Sequence, residues 1–257
     1  MDNDFLFYPP GEEYIYGRKR AGSSGTRKKQ RKYRCFPALW MREPERYPHV
    51  LETFRSFANK IVLFQDTQQC KTFLMTGTDP KVGTSTVTFN LGLILGRGMP
   101  SRQILIIDAH LESPTLHLAF NHVPSNGLIK YLLGRSPLVD IVQPTFLPNL
   151  DIITFSHLED EILSPFSLPS FKKLLEEVGE YYDIVLLDSA PALKSSHTKM
   201  ISAKVDGVIL VAQANKSRFE VMEELVQQLN FQGANLLGTF LNKRKYFIPQ
   251  WLYRYIF

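Results

Sequence analysis

Cysteine is scarce in this sequence, with only Cys35 and Cys70 among 257 residues. Neither has a second Cys or a His at metal-ligand spacing, which excludes a disulfide framework and a zinc site and leaves buried or incidental thiols. Long apolar runs are also missing. The longest, such as residues 104–107 and 184–187, hold about four residues, far below the roughly 20 needed to cross a bilayer. The opening Met1-Asp2-Asn3-Asp4 lacks the basic-then-apolar order of a secretory signal, so a cytoplasmic location is expected.

Positive charge is present but concentrated. The chain carries 30 Lys and Arg against 25 Asp and Glu. Arg18-Lys19-Arg20 and Arg27-Lys28-Lys29-Gln30-Arg31-Lys32-Tyr33-Arg34 hold nine of the basic residues and leave the rest slightly acidic. Residues 1–45 join that run to Pro9-Pro10 and Gly22-Ser23-Ser24-Gly25 without periodicity, which predicts a basic mobile tail. The remainder, 46–257, in a chain with 44% apolar side chains, suffices for one domain. The basic run has little aromatic interleaving and no groove-entering element, so no specific nucleic-acid binding is expected. Residues 18–34 suit an anionic lipid surface, or are simply solvated.

From Pro48, Leu51, Phe54, Phe57, Ala58, Ile61 and Val62 recur at three- and four-residue spacing, which predicts an amphipathic helix. Short β-branched runs then alternate with helical stretches. They predict strands at 72–76, 103–108, 150–154, 183–188, 207–212 and 236–241, and helices at 84–97, 127–133, 167–179, 198–205 and 218–232. The alternation is that of an α/β fold, a mostly parallel sheet with helices on both faces. Ligands bind such sheets outside the carboxyl ends of the strands, so the residues after each strand are the functional candidates.

The first strand runs into Thr76-Gly77-Thr78-Asp79-Pro80-Lys81-Val82-Gly83-Thr84-Ser85-Thr86 and then an apolar helix. Such a loop aims backbone N–H groups and the positive end of the helix at an anion, typically a phosphate. Of the pattern G-x-x-x-x-G-K-[ST], Gly83 and Ser85 are present while Thr84 replaces the lysine. The loop alone also reads as an ordinary strand-to-helix turn. The second strand ends at Asp108 and a later one at Asp188, where carboxylates can hold Mg²⁺ directly or through water. Either aspartate alone reads equally as a cap for the next element.

In this order and spacing the chain resembles the bacterial tyrosine kinases of capsular and exopolysaccharide synthesis, relatives of the ParA and MinD ATPases with a P-loop NTPase-like fold. Further landmarks are Leu51-Glu52-Thr53-Phe54-Arg55, Pro114-Thr115-Leu116-His117, Asn126-Gly127-Leu128-Ile129, Leu147-Pro148-Asn149-Leu150-Asp151, Asp206-Gly207-Val208 and Gly238-Thr239-Phe240-Leu241-Asn242. The resemblance implies ATP or ADP with Mg²⁺ as cofactor. It implies nucleotide contacts from Gly83, Thr84, Ser85, Thr86 and Asn242, metal contacts from Ser85, Asp108 and Asp188, and catalytic roles for the two aspartates. It also implies a chain-length-determinant protein of the inner membrane as partner, hence a peripheral location there, and phosphorylation of tail tyrosines, here Tyr246, Tyr253 and Tyr255. That aromatic and basic tail reads as readily as a packing segment.

The departures fall on the chemistry. Thr84 stands for the lysine that neutralises phosphate charge, and His110 stands for the second carboxylate of Asp-x-Asp. Glu112 and Ser113 replace arginines, and His197 replaces an acidic residue. The self-association motif Glu-x-x-Arg-x-x-Arg keeps Glu52 and Arg55 but has Ala58. Phosphoryl transfer rests on positioning and charge stabilisation, and truncating one desolvated charge costs about 2–5 kcal/mol. The expectation is a catalytically impaired member that regulates polysaccharide chain length or export. An active tyrosine autokinase with Lys81 swung into the site, helped weakly by His110, is the alternative, and a ParA-like positioning ATPase a third.

Overall fold

A computed structural model describes residues 48–120, 127–155, 165–167 and 169–244. Strands β1 (Thr72–Gly77), β2 (Ile104–Asp108), β3 (Val142–Pro144), β4 (Leu150–Ile153), β5 (Ile184–Asp188), β6 (Gly207–Gln213) and β7 (Leu236–Asn242) form one sheet in the order β3-β4-β2-β5-β1-β6-β7. Only the β3–β4 pairing is antiparallel. Strand β3 is an addition to the sequence expectation. It has three residues and closes on Pro144 at a sheet edge, too short for a periodic signal and placed where a missing N–H is tolerated.

The helices are α1 (Pro48–Gln68), α2 (Thr84–Gly98), α3 (Leu116–Ala119), α4 (Leu128–Leu132), α5 (Leu138–Ile141), α6 (Pro169–Tyr181), α7 (Ser196–Ser202) and α8 (Phe219–Phe231). Short α3 and α5 escape sequence reading because a single turn carries no repeat. Helix α7 begins earlier than expected because Ser195 Oγ accepts the Thr198 N–H at 3.4 Å, a side-chain cap.

Every residue of β1 is buried, as a central strand covered on both faces requires. Its side chains alternate. Phe73 and Met75 join Phe54 and Ile61 of α1 and Val87, Leu91 and Leu95 of α2, while Leu74 joins Phe171 of α6, Ile201 of α7 and Leu225 of α8. Truncating fully buried Leu74 to alanine should cost about 2–5 kcal/mol. Helix α2 lies so close that a Cβ on Gly92 would stand 2.5 Å from Ile106 Cδ1, so glycine permits the approach.

Asp206 ties β1 to the start of β6, its Oδ2 accepting the N–H groups of Lys71 and Thr72 at 2.9 and 2.8 Å. Burial pushes the Cys70 thiol up, which suits a packed, inert sulfur. No helix among the described residues is long and apolar enough to cross a membrane. The basic run at 18–34, Cys35, Asn126 and the tyrosines Tyr246, Tyr253 and Tyr255 lie outside the described residues.

Candidate nucleotide site

The site lies at the carboxyl ends of β1, β5 and β2, which are neighbours in the sheet although distant in sequence. Strand β1 delivers the loop that enters α2. Gly83 closes it at φ 97°, a left-handed conformation that admits glycine most readily, and its carbonyl accepts the Val87 N–H of the first turn at 2.9 Å. Thr84 is buried, and its hydroxyl oxygen would stand 2.9 Å from a Cβ on Gly77, so the threonine is folded back over the loop floor. Ser85 and Thr86 are half-buried, and the Thr86 carbonyl accepts Asn90 Nδ2 at 2.7 Å.

Asp108 and Asp188 are fully buried register partners on β2 and β5. Burial pushes the Asp108 carboxyl up to about 7, against the N–H groups of His110, Leu116 and Thr115 that favour its charge. Asp188 is raised well above the usual carboxylate range by burial and then by the Asp108 charge, with the Ser85 and Thr88 hydroxyls opposing. Asp188 Oδ1 accepts from Thr88 Oγ1 at 3.4 Å, whereas its Oδ2 is buried with no hydrogen-bond partner among the described residues.

Two like charges and an orphaned oxygen beside a hydroxyl at a helix start are stable together only with protons or with a cation. These oxygens fit Mg²⁺, which takes one or two carboxylates and completes its shell with water and substrate phosphates. No cluster of three His, Cys, Asp or Glu suited to a metal exists among the described residues, so a fully protein-built cage is not on offer.

His110 follows β2. Its Nδ1 accepts the Ser113 N–H at 3.0 Å, which leaves the proton of the neutral ring on Nε2. Burial pushes its pKa down, while Glu112, 3.7 Å from Nδ1, pulls it back up. His197 lies on α7 with its ring 6.2 Å from that of Phe166, in aromatic packing. Lys81 is exposed, with φ 66°.

Strand β7 closes the other side of the loop. Asn242 Nδ2 donates to the Val82 carbonyl at 2.9 Å and lies against Gly83. Beside it an open depression of about 300 Å³ is lined by Gln213, Asn215, Met222, Leu241 and Arg244. The structure thus gathers Gly83, Thr84, Ser85, Asp108, Asp188 and Asn242, and holds the exposed Lys81 by its carbonyl, which accepts from Lys243 Nζ. Sequence reading missed Thr88, one turn beyond Thr84, which the helical period could have indicated. It also missed Ser217, whose Oγ lies 2.9 Å from Thr78 Oγ1, and Lys243, for which the sequence carries no signal.

Residues 75–236 match the model of the AAA domain family. The tyrosine-protein kinase YwqD of Bacillus subtilis is 28% identical over 194 residues, covering 76% of this chain and 81% of YwqD. The chain spans only 25% of the putative kinases EpsB from Ralstonia that it also matches. Among solved structures, the VpsO kinase domain superposes with a TM-score of 0.69 at 27% identity, covering 80% of this chain and all of that one. The chimerical protein CapA2B2 does so at 0.69 with 23% identity over 75% of this chain and 84% of that one, a likeness of fold. The chain belongs to the AAA domain family, and within it resembles the bacterial tyrosine-protein kinases.

Proposed function

We propose that this chain binds Mg²⁺-nucleotide weakly and acts as a catalytically impaired relative of the tyrosine kinases, regulating polysaccharide chain length or export through a membrane partner of the chain-length-determinant type. One observation carries the reading. The metal-side groups remain, with Asp188 Oδ2 buried and unpartnered near Ser85 and Thr88, while Thr84, with no charge to offer, occupies the position that needs a cation.

When bound, Mg²⁺ would neutralise phosphate and carboxylate charge. The chain's own residues bind and orient. The amides that open α2 face the anion, Ser85 and Asp188 offer oxygens to the cation, Asn242 fixes the loop, and the depression beside it receives the base. His110, neutral with its proton on Nε2, is a hydrogen-bond donor where a carboxylate would accept, so base catalysis on a tyrosine hydroxyl loses its acceptor. The coupling of an export complex to nucleotide level then depends on binding rather than on phosphoryl transfer.

Calorimetric titration with Mg-ATP, together with phosphotyrosine detection after incubation with it, tests this. Thr84→Lys should bind about 30-fold or more tightly than wild type, and wild type should form no phosphotyrosine. Wild-type phosphotyrosine formation would sink the impaired-enzyme reading.

A further inference from the structure

We infer that Lys243 supplies the positive charge of the phosphate loop, a binding role for the phosphoryl groups of a nucleotide that Thr84 cannot perform; this rests on the proposed nucleotide binding. Lys243 directly follows β7. Its Nζ donates to the Lys81 carbonyl at 2.8 Å, and its Cε would lie 3.8 Å from a Cβ on Gly83. A lysine from the far end of the chain is thus laid across the last residues of the loop, with its side chain along the glycine that precedes α2.

The ammonium has three N–H bonds, and the Lys81 carbonyl takes one. Lys243 is exposed, so its remaining donors are open to a ligand at the loop mouth. Its backbone is held at φ 55°, a conformation that costs a non-glycine residue stability, and its N–H is fixed by Asn242 Oδ1 at 2.8 Å. Asn242 also holds Val82, so one dipeptide grips two successive loop carbonyls.

The independent sign of a ligand here is Asp188 Oδ2, fully buried and without a partner beside the first turn of α2. A cation bound by that oxygen brings phosphate to the same helix end. Phosphate at the amides of Thr84 and Ser85 lies against Gly83, the residue that Lys243 covers. Lys81 contributes its carbonyl to this arrangement.

A double-mutant cycle on the intact chain separates charge from scaffolding. Mg-ATP affinity is measured by calorimetry for wild type, Lys243→Met, Lys243→Arg, Thr84→Lys and Thr84→Lys/Lys243→Met, at low and physiological salt. Loss of a charge-assisted contact should weaken binding about tenfold or more in Lys243→Met, with arginine retaining most of the affinity and the methionine variant showing a shallower salt dependence. In the Thr84→Lys background the same change should cost less than about twofold, because the charge is then supplied from α2. Equal losses in both backgrounds would show a purely structural clamp and overturn the inference. Unchanged affinity in Lys243→Met would also overturn it while leaving nucleotide binding intact. No wild-type binding at millimolar Mg-ATP would overturn both this inference and the nucleotide reading.

Discussion

Asp108 and Asp188 stand opposite each other as register partners on the adjacent parallel strands β2 and β5, both fully buried. In-register residues of neighbouring strands project from the same face of a sheet, about 4.8 Å apart. The sheet therefore forces two carboxylates into proximity, with no basic partner for them among the described residues, an arrangement that protons or a divalent cation resolve.

The pair makes apo-protein stability depend on pH in a defined direction. Asp108 is raised from 3.8 to about 7, so the folded state holds a proton that the unfolded state has released. Its contribution is fully present below about pH 4 and is lost as pH rises to about 7, by a few kcal/mol at most. Urea denaturation from pH 4 to 8 should show Asp108→Asn gaining on wild type as pH rises. An identical pH slope in the two proteins would contradict the arrangement.

Gly83→Ala meets two obstacles. Its φ of 97° is unfavourable for alanine, and the new Cβ would press on the Asn242 amide. A loss of about 1–3 kcal/mol is expected, read as a lower urea midpoint. Asn242→Ala alone should also destabilise, because it strips the Val82 carbonyl and the Lys243 N–H of their partner. The double variant should lose less than the sum of the two single losses, because the contact is then absent.

Restoring the missing arginine of the self-association motif should fail as a repair. Ala58 is 4% exposed, on the face of α1 that buries Phe54 and Ile61, while Glu52 and Arg55 are exposed. Ala58→Arg overpacks that face and should cost about 1–3 kcal/mol. Sedimentation should show no gain in self-association. A stable, oligomeric variant would mean that the arginine escapes along the helix to the exposed side.

His110 should titrate below an ordinary histidine and be neutral at pH 7 with its proton on Nε2. Nitrogen NMR chemical shifts report both. Glu112 is the group that raises its pKa against burial, so Glu112→Gln should lower it further. An upward move would mean that Glu112 does not face the ring.

Much of the sheet was legible in the sequence because strands such as β2 and β5 are short, wholly buried, apolar runs rich in isoleucine and valine and followed by turn residues. The run at 184–188 and the loop ending in Gly83 could be placed at strand ends by pattern alone. Strand β3 and helix α3 were not legible, since three or four residues carry no period and their form depends on the neighbours they pack against.

The sequence by itself determined that a phosphate-type loop precedes an apolar helix, that its lysine is replaced by Thr84, and that two later strands end in aspartate. These are local facts, written in residue type and spacing. Only the tertiary structure decided that Asp108 and Asp188 face each other, that Ala58 points inward, and that Lys243 lies along Gly83. Strand order sets those relationships. It places β5 between β1 and β2 and brings β7 back beside the loop, and side-chain packing across the sheet, not proximity in the chain, fixes that order.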